Sequence, residues 1–152
     1  MPNHQSLAQK IARRKHAGQT RRDRVTPYII HIERVAHRAS SLARCVPSIG
    51  VDCADAAWLH DVLEDTDTTA RELIQLGVRR SVVDAVVLLT KPPKGSEFSL
   101  EYYLEKIRDN DIARTVKIAD MIDNLADDPT PAQMNRYVRG ISYLLGHTNA
   151  PT

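Results

Sequence analysis

Residues 60–65 read His-Asp-Val-Leu-Glu-Asp, and few folds can accommodate them. On a helix, offsets of 0, 1, 4 and 5 fall on one side, so His60, Asp61, Glu64 and Asp65 would present an imidazole and three carboxylates together. Trp58, Leu59, Val62 and Leu63 cover much of the remainder with apolar surface. A surface helix buries one apolar stripe and keeps its charges in water. Here the apolar part is too wide for that arrangement, so the acidic side is expected to face a cleft. Carboxylates held side by side in a cleft repel one another, and a divalent cation would relieve the repulsion. The competing reading is a solvated acidic face with a helix-ending His.

The rest of the chain supplies helices to build such a cleft. Leu7, Ala8, Ile11 and Ala12 recur at helical spacing between Ser6 and Lys15, with Gly18 as a cap. A polar, Arg-rich loop from Gln19 to Thr26 precedes Pro27, which suits the first turn of a second helix carrying Ile32, Val35, Ala39 and Leu42. Asp52 is the expected N-cap of the helix that contains His60. Thr69 to Glu72 has the capping-box pattern for a short helix ending at Gly77. The run Ser81 to Thr90 is rich in Val and would also suit a buried strand, but no partner strand appears elsewhere, so it is read as helix. Helices are further expected over Ser99 to Ile107 and Ile112 to Leu125. Thr130-Pro131-Ala132-Gln133 restarts a last amphipathic helix with Met134, Val138, Ile141 and Leu145 at its apolar positions. The expected fold is all-α, a single domain over residues 1–152 with about seven or eight helices.

Composition narrows function mainly by exclusion. Lys plus Arg number 21 and Asp plus Glu 19, a formal net charge of +2. That balance gives no global argument for nucleic acid or membrane as a partner. The distribution is uneven: Arg13, Arg14, Lys15, Arg21, Arg22 and Arg24 crowd the N-terminal portion, and acids dominate 61–67 and 120–128. A basic cluster beside an acidic, metal-suited one fits a phosphorylated substrate. Cys45 and Cys53 are too few for a disulfide framework and lack metal-site spacing. Read as reduced thiols, with no signal peptide and no long apolar run, they fit a cytoplasmic setting.

A first-row divalent ion accepts imidazole nitrogen and carboxylate oxygen together. His60 and Asp61 supply one of each, and two more ligands are wanted. His31 lies inside Tyr28-Ile29-Ile30-His31-Ile32, and Asp120 inside Val116-Lys117-Ile118-Ala119-Asp120-Met121-Ile122. An acid in that company is costly to bury unless paired or metal-bound. Asn124 lies one turn further on the same face. His37 would point away from His31, and His16 is a weaker candidate for substrate contact.

Four segments together resemble the small alarmone hydrolases, stand-alone relatives of the hydrolase half of RelA/SpoT proteins within the HD-domain phosphohydrolase superfamily. They are His16 to Arg22, Pro27 to His31, Ala56 to Asp67 and Val116 to Leu125. The resemblance implies metal ligands at His31, His60, Asp61 and Asp120, with manganese as the usual ion. It implies that Glu64 and Asp65 act on the attacking water and the proton transfers, and that Arg21, Arg22 and Asn124 bind substrate. The implied reaction removes pyrophosphate from the ribose 3′ position of guanosine tetra- or pentaphosphate. Lys94 and Arg136, each near a helix end beside the expected cleft, are further substrate-binding candidates, with a solvated surface charge as the alternative. The chain departs from the family in having Arg22 where many members have Lys, a loop over 23–26 without Gly, and Asp123 where His or Tyr is frequent. The expected partner is a guanosine polyphosphate or another nucleotide; nucleic acid and membrane are not expected, and a homodimer is left open. The alternatives are a phosphohydrolase of another nucleotide (a monophosphate, a 3′-phosphorylated dinucleotide or a cyclic nucleotide) and a non-catalytic sensor of alarmone or metal.

Overall fold

The computed structural model describes residues 5–93 and 95–147, except for the side chain of Cys45. Among the described residues, nine α-helical segments occur: α1 (Leu7–Lys15), α2 (Tyr28–Leu42), α3 (Gly50–Leu59), α4 (Val62–Asp65), α5 (Ala70–Gln75), α6 (Arg80–Leu89), α7 (Leu100–Arg108), α8 (Asp111–Leu125) and α9 (Pro131–Leu144). Two 3-10 turns, Ala43–Cys45 and Pro47–Ile49, join α2 to α3. The described residues form no strand, only an isolated bridge between Thr20 and Pro27. The Val-rich run is helical, as α6, because Val82, Val83, Val86 and Leu89 recur at helical spacing and are all buried.

Side-chain caps fix several boundaries. Ser6 and Gln9 form a reciprocal capping box at α1, and Thr130 and Gln133 form another at α9, with Pro131 in the first turn. Asn110 caps α8 through the amide of Ala113. Thr69 accepts from the amide of Glu72 at α5. Gly18 ends the turn after α1 with φ +79°, a conformation that glycine adopts without the steric cost a side chain brings.

Three expectations are corrected. Asp52 is not an N-cap: α3 begins at Gly50, and Asp52 lies in its first turn, where it pairs with Arg79 at 2.8 Å. The helix carrying His60 does not run on to Asp65. It ends at Leu59, and the chain turns through His60 and Asp61 before the single turn of α4. Along α9 and at its C-cap, Met134, Val138 and Leu145 are 48%, 49% and 55% exposed; of the expected stripe Ile141 packs on the core, and the fully buried positions are Gly140, Tyr143 and Leu144. Gly140 explains that rotation: a Cβ there would lie 2.8 Å from Met121 Cε, so the missing side chain lets α9 approach α8 on this face.

The core is one continuous cluster. Ile32 and Val35 of α2, Leu59 of α3, Val62 of α4, Val82 and Val86 of α6, Leu104 and Ile107 of α7, and Val116 of α8 are all buried within it. Helix α3 packs on α1, α2, α6 and α8, and α8 packs on α2, α7 and α9. The chemistry-bearing residues therefore sit where α2, the α3–α4 turn and α8 meet.

Candidate metal centre and its cleft

Each helix delivers one polar group to that junction. His31 sits one turn into α2, His60 caps α3, Asp61 follows in the turn, and Asp120 lies in the middle of α8. His31, His60 and Asp120 are all buried, and one ligand atom from each lies within 4.8 Å of the others. His31 Nε2 is 3.4 Å from Asp120 Oδ1 and 3.8 Å from Asp61 Oδ2. His60 Nε2 is 3.0 Å from Asp61 Oδ2 and 3.9 Å from Asp120 Oδ1. The break after Leu59 serves this arrangement, since it turns His60 and Asp61 toward the same point.

The donor set fits a divalent metal. His60 Nδ1 is 2.7 Å from the carbonyl of Ala57, which can only accept, so Nδ1 holds a proton in either charge state and Nε2 is the nitrogen that can give up its proton to an ion. That Nε2 is buried and has no hydrogen-bond partner even with Asp61 close by. An orphaned imidazole nitrogen facing two carboxylates and a second imidazole is what a first-row divalent ion requires. Without an ion, the groups balance one another as charges. Burial opposes ionisation of His60, but Asp61 and Asp120 outweigh it and push its pKa up to about 9. Burial likewise opposes charge on the two acids, yet His60 holds Asp61 well below the usual carboxylate range, and Lys117 does the same for Asp120.

The carboxylates are oriented by neighbours. Tyr28 donates its hydroxyl to Asp61 Oδ2 at 2.5 Å. Buried Lys117 donates to Asp120 Oδ2 at 2.9 Å, and Asn124 Nδ2 donates to Asp120 Oδ1 at 2.7 Å. Asp123, fully buried, takes hydrogen bonds from His31, Arg34 and Arg38. Burial opposes its ionisation, but His31 and Arg34 together hold it well below the usual range.

Above these groups lies a cavity of about 640 Å³, lined by Arg21, Arg22, Tyr28, Glu64, Asp65, Lys91, Asn124 and Tyr137 as well as His31, Asp61 and Asp120. The loop over 20–27 is built rather than slack. Asp23 accepts from the amides of Val25 and Thr26, both at 2.9 Å, and the amide of Arg21 bonds the carbonyl of Thr26 at 2.8 Å. Arg21 and Arg22 differ in consequence. Arg21 is only 9% exposed; it pairs with Asp127, bonds Asn124 Oδ1 at 3.3 Å and lies over the Tyr28 ring. Arg22 is exposed, with one bond to Gln133 at 3.3 Å.

Glu64 and Asp65 also part company. Lys91 holds Glu64 through both its ammonium and its amide, each at 3.1 Å. Asp65 has no such cation; burial first, then the charges of Asp61 and Glu64, raise its pKa. Arg136 lies outside the cavity lining. Its guanidinium covers the Tyr137 ring, and Tyr137, the next residue around the helix, reaches the cavity instead. Lys94 lies outside the described residues. His16 does not line the cavity either: it is buried, bonded to Gln19 and tilted against Tyr28. Sequence reasoning missed Tyr28, Lys91, Lys117, Asp127 and Tyr137, and marked Asp123 only as a departure from the family. The signal available for Lys117 and Asp123 was the one used for Asp120, a charge set among apolar residues of α8.

Comparison with known proteins supplies the family. No family model matches the chain. The chain is 32% identical over 120 residues to the guanosine-3′,5′-bis(diphosphate) 3′-pyrophosphohydrolase of Drosophila melanogaster, which covers 74% of this chain and 63% of that protein. It is 35% identical over 123 residues to the Homo sapiens protein of the same description, covering 79% of this chain and 66% of that protein. The Aquifex aeolicus protein so described is 33% identical over 122 residues, covering 78% of this chain and 17% of that protein. The chain thus matches just under two thirds of the length of the animal relatives. A solved structure described as a metazoan ortholog of SpoT that hydrolyzes ppGpp superposes with a TM-score of 0.74 at 27% identity, covering 97% of this chain and 90% of that one. In sequence and in fold, the chain is a homologue of the guanosine-3′,5′-bis(diphosphate) 3′-pyrophosphohydrolases, and its structure has the RelA/SpoT hydrolase type of HD fold.

Proposed function

We propose that the chain is a metal-dependent hydrolase that uses water to remove pyrophosphate from the ribose 3′ position of guanosine 3′,5′-bis(diphosphate), leaving GDP. The observation that carries this reading is the convergence of His31, His60 and Asp120, with Asp61 Oδ2 3.0 Å from His60 and 3.8 Å from His31, beneath a cleft whose lining includes Arg21, Arg22 and Lys91. The activity named for the relatives supports the choice of nucleotide. His31, His60, Asp61 and Asp120 would hold the ion; two imidazoles with two carboxylates accept a first-row divalent metal, and the resemblance to the alarmone hydrolases is the reason for choosing manganese. When bound, the ion supplies Lewis-acid polarisation of the phosphoryl group and lowers the pKa of water.

The chain's own groups do the rest. Arg21, Arg22 and Lys91 neutralise the diphosphate and hold it over the floor of the cleft. Asn124 links the two parts of the site, bonding Asp120 through Nδ2 and Arg21 through Oδ1. Asp65 takes the proton of the attacking water, a role suited to a carboxylate whose pKa is raised. Glu64, tied to Lys91, adds negative charge beside Asp65 and keeps it basic. Incubation with guanosine tetraphosphate and manganese, followed by chromatography, should yield GDP and pyrophosphate in equal amounts. Metal-loaded protein that releases neither would overturn the proposal.

A further inference from the structure

We infer that Asp123 is a positioning residue for the metal: it fixes the tautomer and ring orientation of His31, with Arg34 and Arg38 as the clamp that keeps it charged. The inference rests on the reading of His31 as a metal ligand. His31 can offer Nε2 to an ion only if its proton sits on Nδ1. Nδ1 lies 2.8 Å from Asp123 Oδ2, inside the protein and out of contact with water. A carboxylate is costly to bury without compensation, and here the compensation is complete. Arg34 donates through Nε to Oδ1 at 2.8 Å and through its terminal nitrogen to Oδ2 at 2.9 Å. Arg38 donates to Oδ1 at 3.4 Å. Held by two guanidinium groups, Asp123 stays ionised and can only accept. The Nδ1 proton is therefore forced, and Nε2 is left free toward Asp61 and Asp120. His60 achieves the same state through a backbone carbonyl, so both imidazoles present lone pairs to one point.

The clamp also explains why a carboxylate, and not its amide, is needed. Oδ1 faces Arg34 Nε and Arg38, and Oδ2 faces His31 and the second Arg34 nitrogen. Asparagine would place an NH₂ against donors on one side whichever way it turned. With that NH₂ toward His31, the ring would have to accept at Nδ1 and carry its proton on Nε2, which blocks coordination. With it toward the arginines, the hydrogen bond to His31 would survive without the charge that raises the ring's basicity.

The test measures metal binding directly, without substrate. Cobalt and manganese dissociation constants are determined for wild type, Asp123→Asn and the double variant Arg34→Gln, Arg38→Gln. The cobalt visible spectrum and the zinc-loaded ¹H–¹⁵N spectrum of the histidine rings are recorded alongside. Loss of a partner of this kind costs about 10–100-fold in metal affinity. Asp123→Asn should show a loss of that order, an altered cobalt spectrum and loss of the single Nδ1–H state of His31. The double variant changes only half-exposed side chains. It removes the guanidinium compensation of buried Asp123 and so lowers stability as well, and the single variant Arg38→Gln, which removes only the 3.4 Å bond, is measured beside it. The double variant, where it folds, should show a smaller loss in the same direction, which gives a second measurement if Asp123→Asn is insoluble. Wild-type affinity and spectra in either folded variant would overturn it while leaving the metal site standing. No metal binding by wild type would overturn the metal site and this inference together.

Discussion

Lys117→Met tests whether Asp120 is held ready for a cation. Lys117 is 8% exposed, its Nζ is 2.9 Å from Asp120 Oδ2, and it lies 5.5 Å from the centre of the Tyr103 ring. Methionine keeps most of the aliphatic volume and removes the charge. In the metal-free protein, Asp120 would retain Asn124 on Oδ1 and nothing on Oδ2. Breaking a buried pair by removing one partner costs about 3–5 kcal/mol. At about 2–4 °C per kcal/mol for a domain of this size, the melting temperature should fall by about 6–20 °C. The surviving bond from Asn124 and the imidazoles of His31 and His60 beside Oδ1 place the expectation in the lower half of that range. A bound divalent ion would supply the missing positive charge to Asp120, so the loss should shrink to the scale of one hydrogen bond, about 1–2 kcal/mol. Linkage then requires the variant to gain metal affinity by the difference between the two losses. Calorimetric melting of wild type and variant, in chelator and in saturating manganese, gives both losses, and metal titration closes the cycle. Equal losses with and without metal, or a metal-free loss under about 2 °C, would refute the pairing argument.

Arg21 and Arg22 should separate. Arg21→Ala leaves Asp127 and Asn124 without their donor and should cost about 1–3 kcal/mol of stability, whereas Arg22→Ala should stay within about 0.5 kcal/mol; both should raise KM, and equal melting temperatures would contradict the structural difference. Glu64→Gln with Asp65→Asn should retain the metal yet lose about 10²–10⁴ in kcat, the usual worth of general acid–base assistance; near-wild-type turnover would reduce the pair to a solvated acidic face. The metal-free protein should also respond to pH through His60. Its pKa is raised from 6.5 to about 9 on folding, despite burial, by Asp61 and Asp120, so its stabilising contribution is full below about 6.5 and disappears as pH rises through about 9. Chemical denaturation in chelator should record that decline and saturating metal should remove it; a flat metal-free profile over this window would refute the ion-pair description.

The helical class, most element positions and the reciprocal cap at Thr130 were legible in the sequence, because caps and apolar spacing are local properties of the backbone. The ligand candidates were legible too, since His31 and Asp120 interrupt apolar runs and a polar group there needs a reason. The turn through His60 and Asp61 was not, because His60 keeps helical dihedral angles and the helix is broken only by the shift of Asp61 to φ −102° and ψ −2°, which no residue type in the run signals. The exposed side of α9 misled a reading by periodicity, because Gly140 against Met121 decides which face packs. Arg21 looked like a loop residue until Asp127 and Tyr28 were found around it. Asp123 and Lys117 sit on the same helix as Asp120, yet their partners include Arg34 and Arg38 of α2 and the Tyr103 ring of α7. Sequence by itself determined which charges must be compensated. Only the tertiary structure decided by what, because the cost of burying a charge is local whereas the group that offsets it comes from another helix.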